Sequence, residues 1–283
     1  MLIGTMNHPA HDVFHEIEWM TAMGMEFIDL TLEPPAAAIW KIEPEEIRRA
    51  IEDAGLPVVG HTAFYLPICS PFESIRRAAV EELKHCIEAF AIIGAKWMNI
   101  HPAGYAPMHG HGFVIESNLK SLCELLITAK ENGIGLMIEN VPEHFNTAFE
   151  LGELLEPLPD LALHLDIGHC NLRVPQNTNE EILKKYGKRL QHVHLHDNKG
   201  GNADLHLPLG TGNVDVAKHL KLLRATGYDA TITLEVFTAD KHYLAYSRDV
   251  LRRLWDDTAA PERVERRTIS GPVPKAETNP ALP

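Results

Sequence analysis

Few features of this chain assign it at sight, and each absence narrows the field. Only four cysteines occur (Cys69, Cys86, Cys123 and Cys170), none in CxxC spacing, which reads as reduced thiols in a cytoplasmic protein. No apolar run approaches the roughly 18 residues that a membrane span needs, so no membrane partner is expected. The opening segment MLIGTMNHPAHD has neither a basic stretch nor a long apolar one, so no signal peptide is expected there. Positive charge is scarce too. Lys plus Arg number 26 against 39 Asp plus Glu, a formal charge of −13, which makes free nucleic acid and anionic membranes unpromising partners. Divalent ions bound in one pocket would reverse that sign locally. A glycine-rich GxGxxG turn is also missing after the first apolar run, which counts against a doubly wound open sheet.

What is present is a regular alternation. Eight short β-like runs occur: LIGTM (2–6), FIDLTL (27–32), PVVGHTA (57–63), WMNIH (97–101), GLMIEN (135–140), LALHLD (161–166), QHVHLH (191–196) and TITLEV (231–236). Most are nearly continuous apolar stretches, the pattern of parallel strands covered by helices. Amphipathic segments separate them, such as PEEIRRAIEDAG with Gly55 as its stop. The segment after the third run opens with SPFE, which predicts Ser70 as N-cap, Pro71 at the first helical position and Glu73 completing a capping box. Strand–helix units repeated eight times within about 256 residues predict an α/β fold, a single (β/α)8 TIM barrel spanning 1–257. The remaining segment, 258–283, holds five prolines and no hydrophobic periodicity, and reads as a disordered tail.

In such a barrel the chemistry collects where the strands end. His61 ends the third run, His101 the fourth, Glu139 with Asn140 the fifth, and Asp166 the sixth, with His169 three residues later. His194 lies near the end of the seventh, Asp204 and His206 in the segment after it, and Glu235 at the end of the eighth. Singly, each is an ordinary polar strand end. Together, four carboxylates buried at one rim would repel and have raised pKa values unless cations neutralised them. Histidines interleaved with carboxylates suit Zn²⁺ or Mn²⁺ better than Mg²⁺ or Ca²⁺. A divalent metal site is the reading.

The motifs GHTA, NIHPAG, MIEN, LDIGH, HVHLHDNKG, DLHLPLGTG and TLEV, taken as a set, resemble the xylose isomerase-like TIM-barrel superfamily. That superfamily holds sugar and sugar-phosphate isomerases and epimerases beside the endonuclease IV family, and the resemblance covers nearly all of 1–256. Resemblance to the isomerases implies one metal on Glu139, Asp166, His194 and Glu235. It makes Glu139 and Glu235 the acid/base pair for proton transfer through a metal-stabilised enediolate, and puts His169 against the substrate. Resemblance to endonuclease IV implies three zincs: one on His61, His101 and Glu139, the second on the isomerase set, the third on His169, Asp204 and His206. The chain is therefore expected to bind one to three ions.

The favoured expectation is a metal-dependent sugar or sugar-phosphate isomerase or epimerase. The alternative is a trinuclear-zinc phosphodiesterase acting on abasic DNA, and only there would nucleic acid be a partner. A lyase or dehydratase of a polyhydroxy acid would use the same metal logic. The complete set of nine favours hydrolysis. The acidic barrel, a first run lacking the endonuclease type of opening, and IDLTLEPPAAAIW with Glu33 instead of an arginine-bearing DNA loop favour sugar chemistry. Aromatics in HTAFYLPI could wedge into a duplex, though packing is the expected role.

His192, His194 and His196 share one strand face, and depth separates them. His192 is expected as a satisfied core residue, and His196 as a loop residue or a neighbour of the ligands. Asn7, with His8, and Lys199 are expected substrate contacts, and the glycines of LGTGNVD hint at phosphate held at a helix start. HGHG (109–112) reads as a solvated loop and Cys170 as a buried thiol. An oligomer is compatible with all of this.

Overall fold

Continuous apolar runs need covering on both faces, and the chain meets that need by closing its strands into a cylinder sheathed by helices. The computed structural model describes residues 1–258. All but the first residue of the expected tail lies outside the described residues. In chain order the elements are β1 (Leu2–Met6), α1 (Val13–Ala22), β2 (Phe27–Leu32), α2 (Pro44–Ala54), β3 (Val58–Thr62), α3 (Glu73–Ile93), β4 (Trp97–Ile100) and α4 (His111–Asn132). There follow β5 (Gly135–Glu139), α5 (Ala148–Leu155), β6 (Ala162–Asp166), α6 (Asn179–Tyr186), β7 (Leu190–Leu195), α7 (Val216–Ala225), β8 (Thr231–Leu234) and α8 (His242–Asp257). The strands are parallel and close as β1-β2-β3-β4-β5-β6-β7-β8, with β8 paired to β1, a (β/α)8 TIM barrel. Among the described residues no helix is long and apolar enough to cross a membrane.

Every expected strand exists, with ends that differ by a residue or two. His101, His196 and Glu235 stand one position beyond β4, β7 and β8 respectively. At that height they are free of the ladder and can lean over the barrel mouth. Between β6 and β7 the register pairs His164 with His192 and Asp166 with His194. The barrel interior is thus polar at these two levels, which sets this core apart from one filled by aliphatic side chains.

Helix termini show one success and one correction. Gly55 closes α2 in the left-handed region, φ 68°, as the sequence predicts. The predicted capping box at Ser70 does not form. The helix begins only at Glu73, with Phe72 at the N-cap and no side-chain cap, and Ser70 Oγ accepts from the Phe72 amide at 3.3 Å. Glu73 is drawn away by cations, bonding Arg76, Arg77 and Lys120. A capping box does form at α5, between Thr147 and Glu150.

All four cysteines are unpaired. Burial pushes the Cys86 and Cys170 thiols up to about 12 and raises that of Cys69, while Cys123 is exposed. Iodoacetamide at neutral pH should therefore alkylate Cys123 alone in the folded protein and all four after unfolding, read by intact mass.

Candidate metal centre

The nine donors expected from the strand ends meet at the C-terminal mouth of the barrel, and their donor atoms fall into three adjoining groups, buried except at Asp204 and His206. His61, His101 and Glu139 form the first, with His101 Nε2 2.9 Å and His61 Nε2 3.8 Å from Glu139 Oε2. Glu139, Asp166 and His194 form the second, and Glu235 Oε2 lies 3.4 Å from His194 Nδ1. His169, Asp204 and His206 lie in the third, with both imidazole Nε2 atoms 3.1 Å from Asp204 Oδ2.

The hydrogen bonding around these donors tests whether a cation fits. Asp166 Oδ2, His194 Nδ1 and Glu235 Oε2 are fully buried and have no hydrogen-bond partner. Leaving three such atoms bare would cost of order 1–3 kcal/mol each, so converging orphans of mixed N/O chemistry fit a divalent ion. In the third group the far ends of the histidines are occupied. His169 Nδ1 faces the Asn140 carbonyl at 2.9 Å, and His206 Nδ1 the Glu235 carbonyl at 3.1 Å. Such bonds orient the rings so that Nε2, once it gives up its proton, presents a lone pair to an ion, the arrangement of metal-ligating imidazoles.

Charge at the site meets the condition set by the sequence, with imidazoles in place of cations. Burial opposes ionisation of Glu139 and Asp166, yet the surrounding imidazoles hold both well below the usual carboxylate range. Burial likewise opposes charge on His169 and His194, and Asp166 and Glu235 outweigh it, so both stand well above the ordinary value. His206, desolvated but bonded to Asp204 and facing Glu235, is pushed up to about 9. In the metal-free protein these histidines carry the positive charge that an ion would bring.

Several residues that support the site had no role assigned by sequence. Asp29, inside the apolar run of β2, is buried, and its Oδ2 accepts from His194 Nε2 at 2.7 Å, His192 Nε2 at 3.2 Å and Thr233 Oγ1 at 2.8 Å. It holds His194 with Nδ1 turned toward the orphaned carboxylates. Asn99 Nδ2 bonds Glu139 Oε2, and His164, both of whose nitrogens are buried without a partner, lies 3.3 Å from the same oxygen. His192 is the satisfied core residue expected, bonded to Asp29, Thr231 and Thr233. Replacing Asp29 with asparagine removes the charge that orients His194 and should weaken metal affinity about 10–100-fold, measured by competition with a chelating dye.

Three expected substrate contacts are placed differently. Asn7 is buried, and both ends of its amide bind the Thr31 backbone, so it clamps β1 to β2 beside the mouth. Lys199 is exposed on the loop after β7, and among the described residues its ammonium joins no group of the site. The LGTG amides are already taken. Asp197 Oδ2 accepts from Gly210 and Gly212, and Oδ1 from Asn198 and Val214, while Asp215 caps α7 through the Lys218 amide. A buried carboxylate thus fills the cradle that a phosphate would need. Phe64 and Tyr65 are exposed at the mouth instead of packed, and Phe64 lies edge-on to His101. His109 lies solvated in a loop, as expected, whereas His111 and Gly112 belong to the first turn of α4, with His111 exposed and bonded to Glu153.

A family model described as a xylose isomerase-like TIM barrel matches residues 17–254. The chain belongs to the xylose isomerase-like TIM barrel family. Within this family, a probable endonuclease 4 of Aquifex aeolicus is 27% identical over 83% of this chain and 91% of its own length. An L-ribulose 3-epimerase of Mesorhizobium japonicum is 26% identical over 84% of this chain and 80% of its own. The chain spans only 64% and 62% of two Methanocaldococcus jannaschii relatives at 32% and 30% identity. In fold, a D-tagatose 3-epimerase-like crystal structure superposes with a TM-score of 0.82 over 91% of this chain and 98% of that one, at 22% identity. The relatives of this chain thus carry names from two reaction classes.

Proposed function

We propose that this protein is a divalent-metal-dependent epimerase or isomerase of a small sugar, with Glu139 and Glu235 as its acid/base pair. The observation that carries the reading is that these carboxylates, from strands five and eight, approach one histidine nitrogen: His194 Nδ1 is 4.0 Å from Glu139 Oε1 and 3.4 Å from Glu235 Oε2. A ketose bound between them offers the hydrogen on the carbon beside its carbonyl to one carboxylate and takes a proton from the other. Zn²⁺ or Mn²⁺ held by Glu139, Asp166, His194 and Glu235 would supply the charge that stabilises the substrate oxygens as they become enediolate-like. Asp29 keeps His194 in the orientation this requires. The exposed ring of Phe64 beside His101, and Phe237 stacked on His206 at 4.4 Å, offer apolar faces for sugar C–H groups. The likeness to an L-ribulose 3-epimerase supports a ketose, and Asp197 filling the LGTG amides supports one without a phosphate there.

A second reading, a trinuclear-zinc phosphodiesterase, is favoured by His61, His101, His169, Asp204 and His206, donors that a one-metal epimerase does not need. Charge at the mouth weighs against it. The loops that follow the strands hold only Lys41, Arg173, Lys199 and Lys241 as cations. Arg173 is paired with Glu143, and Lys241 lies over the Trp19 ring. In the same loops stand nine acids: Asp12, Glu33, Glu43, Glu143, Asp197, Asp204, Asp215, Glu235 and Asp240. Setting aside Asp204 and Glu235 as ligands, seven acids face four cations, so the rim around the ions would still repel a DNA backbone. The test is to incubate metal-loaded protein with a panel of ketopentoses and ketohexoses, and with duplex DNA carrying an abasic site. Epimer formation without strand cleavage is expected, and cleavage without epimerisation would reverse the choice.

A further inference from the structure

The third group of donors has a member that the nine-residue ligand set does not include. His196, one residue beyond β7, is fully buried beside His169, Asp204 and His206. Its ring stacks on that of His206, centroids 4.1 Å apart, and meets His169 edge-on at 5.6 Å. Nδ1 faces the Asp197 carbonyl at 3.3 Å. Nε2 is buried with no hydrogen-bond partner and lies 3.5 Å from both Asp166 Oδ1 and Asp204 Oδ1. All three imidazoles thus turn Nδ1 to a backbone carbonyl and Nε2 to the carboxylate of Asp204. A Cβ at Gly168 would collide with the face of the His196 ring, so the glycine of LDIGH is what lets this ring occupy its place.

The spacing is that of a coordination shell. The Nε2 atoms of His169, His206 and His196 lie 3.1, 3.1 and 3.5 Å from Asp204 oxygens, and the donor atoms of all four residues fall within 4.8 Å of one another. Tetrahedral zinc with bonds of about 2.0–2.1 Å has ligand-to-ligand edges of about 3.3–3.4 Å. We propose that His196 is the fourth protein ligand of a closed zinc site completed by His169, Asp204 and His206. The inference rests on the metal reading above and adds a role to it. Four protein donors fill zinc's tetrahedral shell, whereas the ion on Glu139, Asp166, His194 and Glu235 would have to expand its coordination to meet substrate. The ion there takes no substrate. It ties the loop that follows β7 to the turn after β6, and holds His206 at a φ of 43°, a left-handed conformation costly for a residue with a side chain.

The test uses full-length protein stripped by chelator dialysis and reloaded with zinc or cobalt. Wild type is expected to show the intense visible absorption of four-coordinate cobalt. His196→Asn is expected to lose about one zinc per chain and, with it, the share of that absorption due to the third group, keeping the ion on Glu139, Asp166, His194 and Glu235. Trypsin should then cut after Lys199 at least tenfold faster in the variant than in zinc-loaded wild type, as it should in metal-free wild type. The wild-type cobalt spectrum keeps the question answerable if the variant fails to fold, since only weak six-coordinate absorption would overturn the closed site. Unchanged zinc count and tryptic resistance in a folded His196→Asn protein would overturn it too, while leaving the epimerase reading intact. Wild type that binds no divalent ion would overturn both.

Discussion

Glu235→Gln should lower kcat for epimerisation by about a thousandfold, with KM nearly unchanged and exchange of the substrate hydrogen with solvent lost in parallel. Glutamine keeps the shape and an oxygen donor but cannot move a proton. Glu235 meets His206 through its backbone carbonyl at 3.1 Å, which the substitution leaves in place, and through Oε2 at 3.5 Å, whose charge it removes. Tryptic resistance of the loop after β7 in the variant shows whether a lost rate is proton transfer or loop structure. His206→Ala supplies the contrast. It removes a donor of the third group, so it should cost an epimerase little but a three-metal phosphodiesterase most of its rate. Equal losses in both variants would speak against the proton-transfer role.

Removing the metal should abolish activity and lower Tm by about 10 °C. An ion present at a thousand times its Kd adds about 4 kcal/mol of stability. Each kcal/mol moves Tm by roughly 2–4 °C in a domain of this size. The pH dependence has a definite sign. His169, His194 and His206 have raised pKa values in the metal-free fold, so their charge stabilises it below the ordinary histidine pKa. That contribution falls away as pH rises, through about 9 for His206. Metal binding needs the same nitrogens unprotonated and strengthens over that range. The Tm difference between loaded and stripped protein should therefore widen from pH 6 to pH 9, with proton release on loading at pH 7. Calorimetry at three pH values checks both.

The strands and the polar residues gathered at the barrel mouth were legible for related reasons. A parallel barrel buries both strand faces, so its strands read as apolar runs, and its chemistry stands where each run ends. The third donor group was less legible. His196 sits in a histidine-rich stretch in which sequence alone gives depth but not neighbours, and its partners come from the loops after β6 and β7. Asp29 was hidden differently. A single acid within FIDLTL looks like a strand residue facing outward, and its partner His194 lies 165 positions away. Asp197 gave no signal either, because its partners are backbone amides 13 to 17 residues later in a loop whose glycines suggested a phosphate. The missed cap at Ser70 arose from competition. Glu73 has the spacing for a capping box, but three nearby cations offer stronger partners than one amide.

The most direct test of the account is proton NMR of metal-loaded protein with a ketose such as L-ribulose in D2O. Loss of the signal from the hydrogen on the carbon next to the carbonyl, dependent on metal and absent in Glu235→Gln, is the predicted result. No exchange with any ketose, together with metal-dependent incision of abasic DNA, would contradict it.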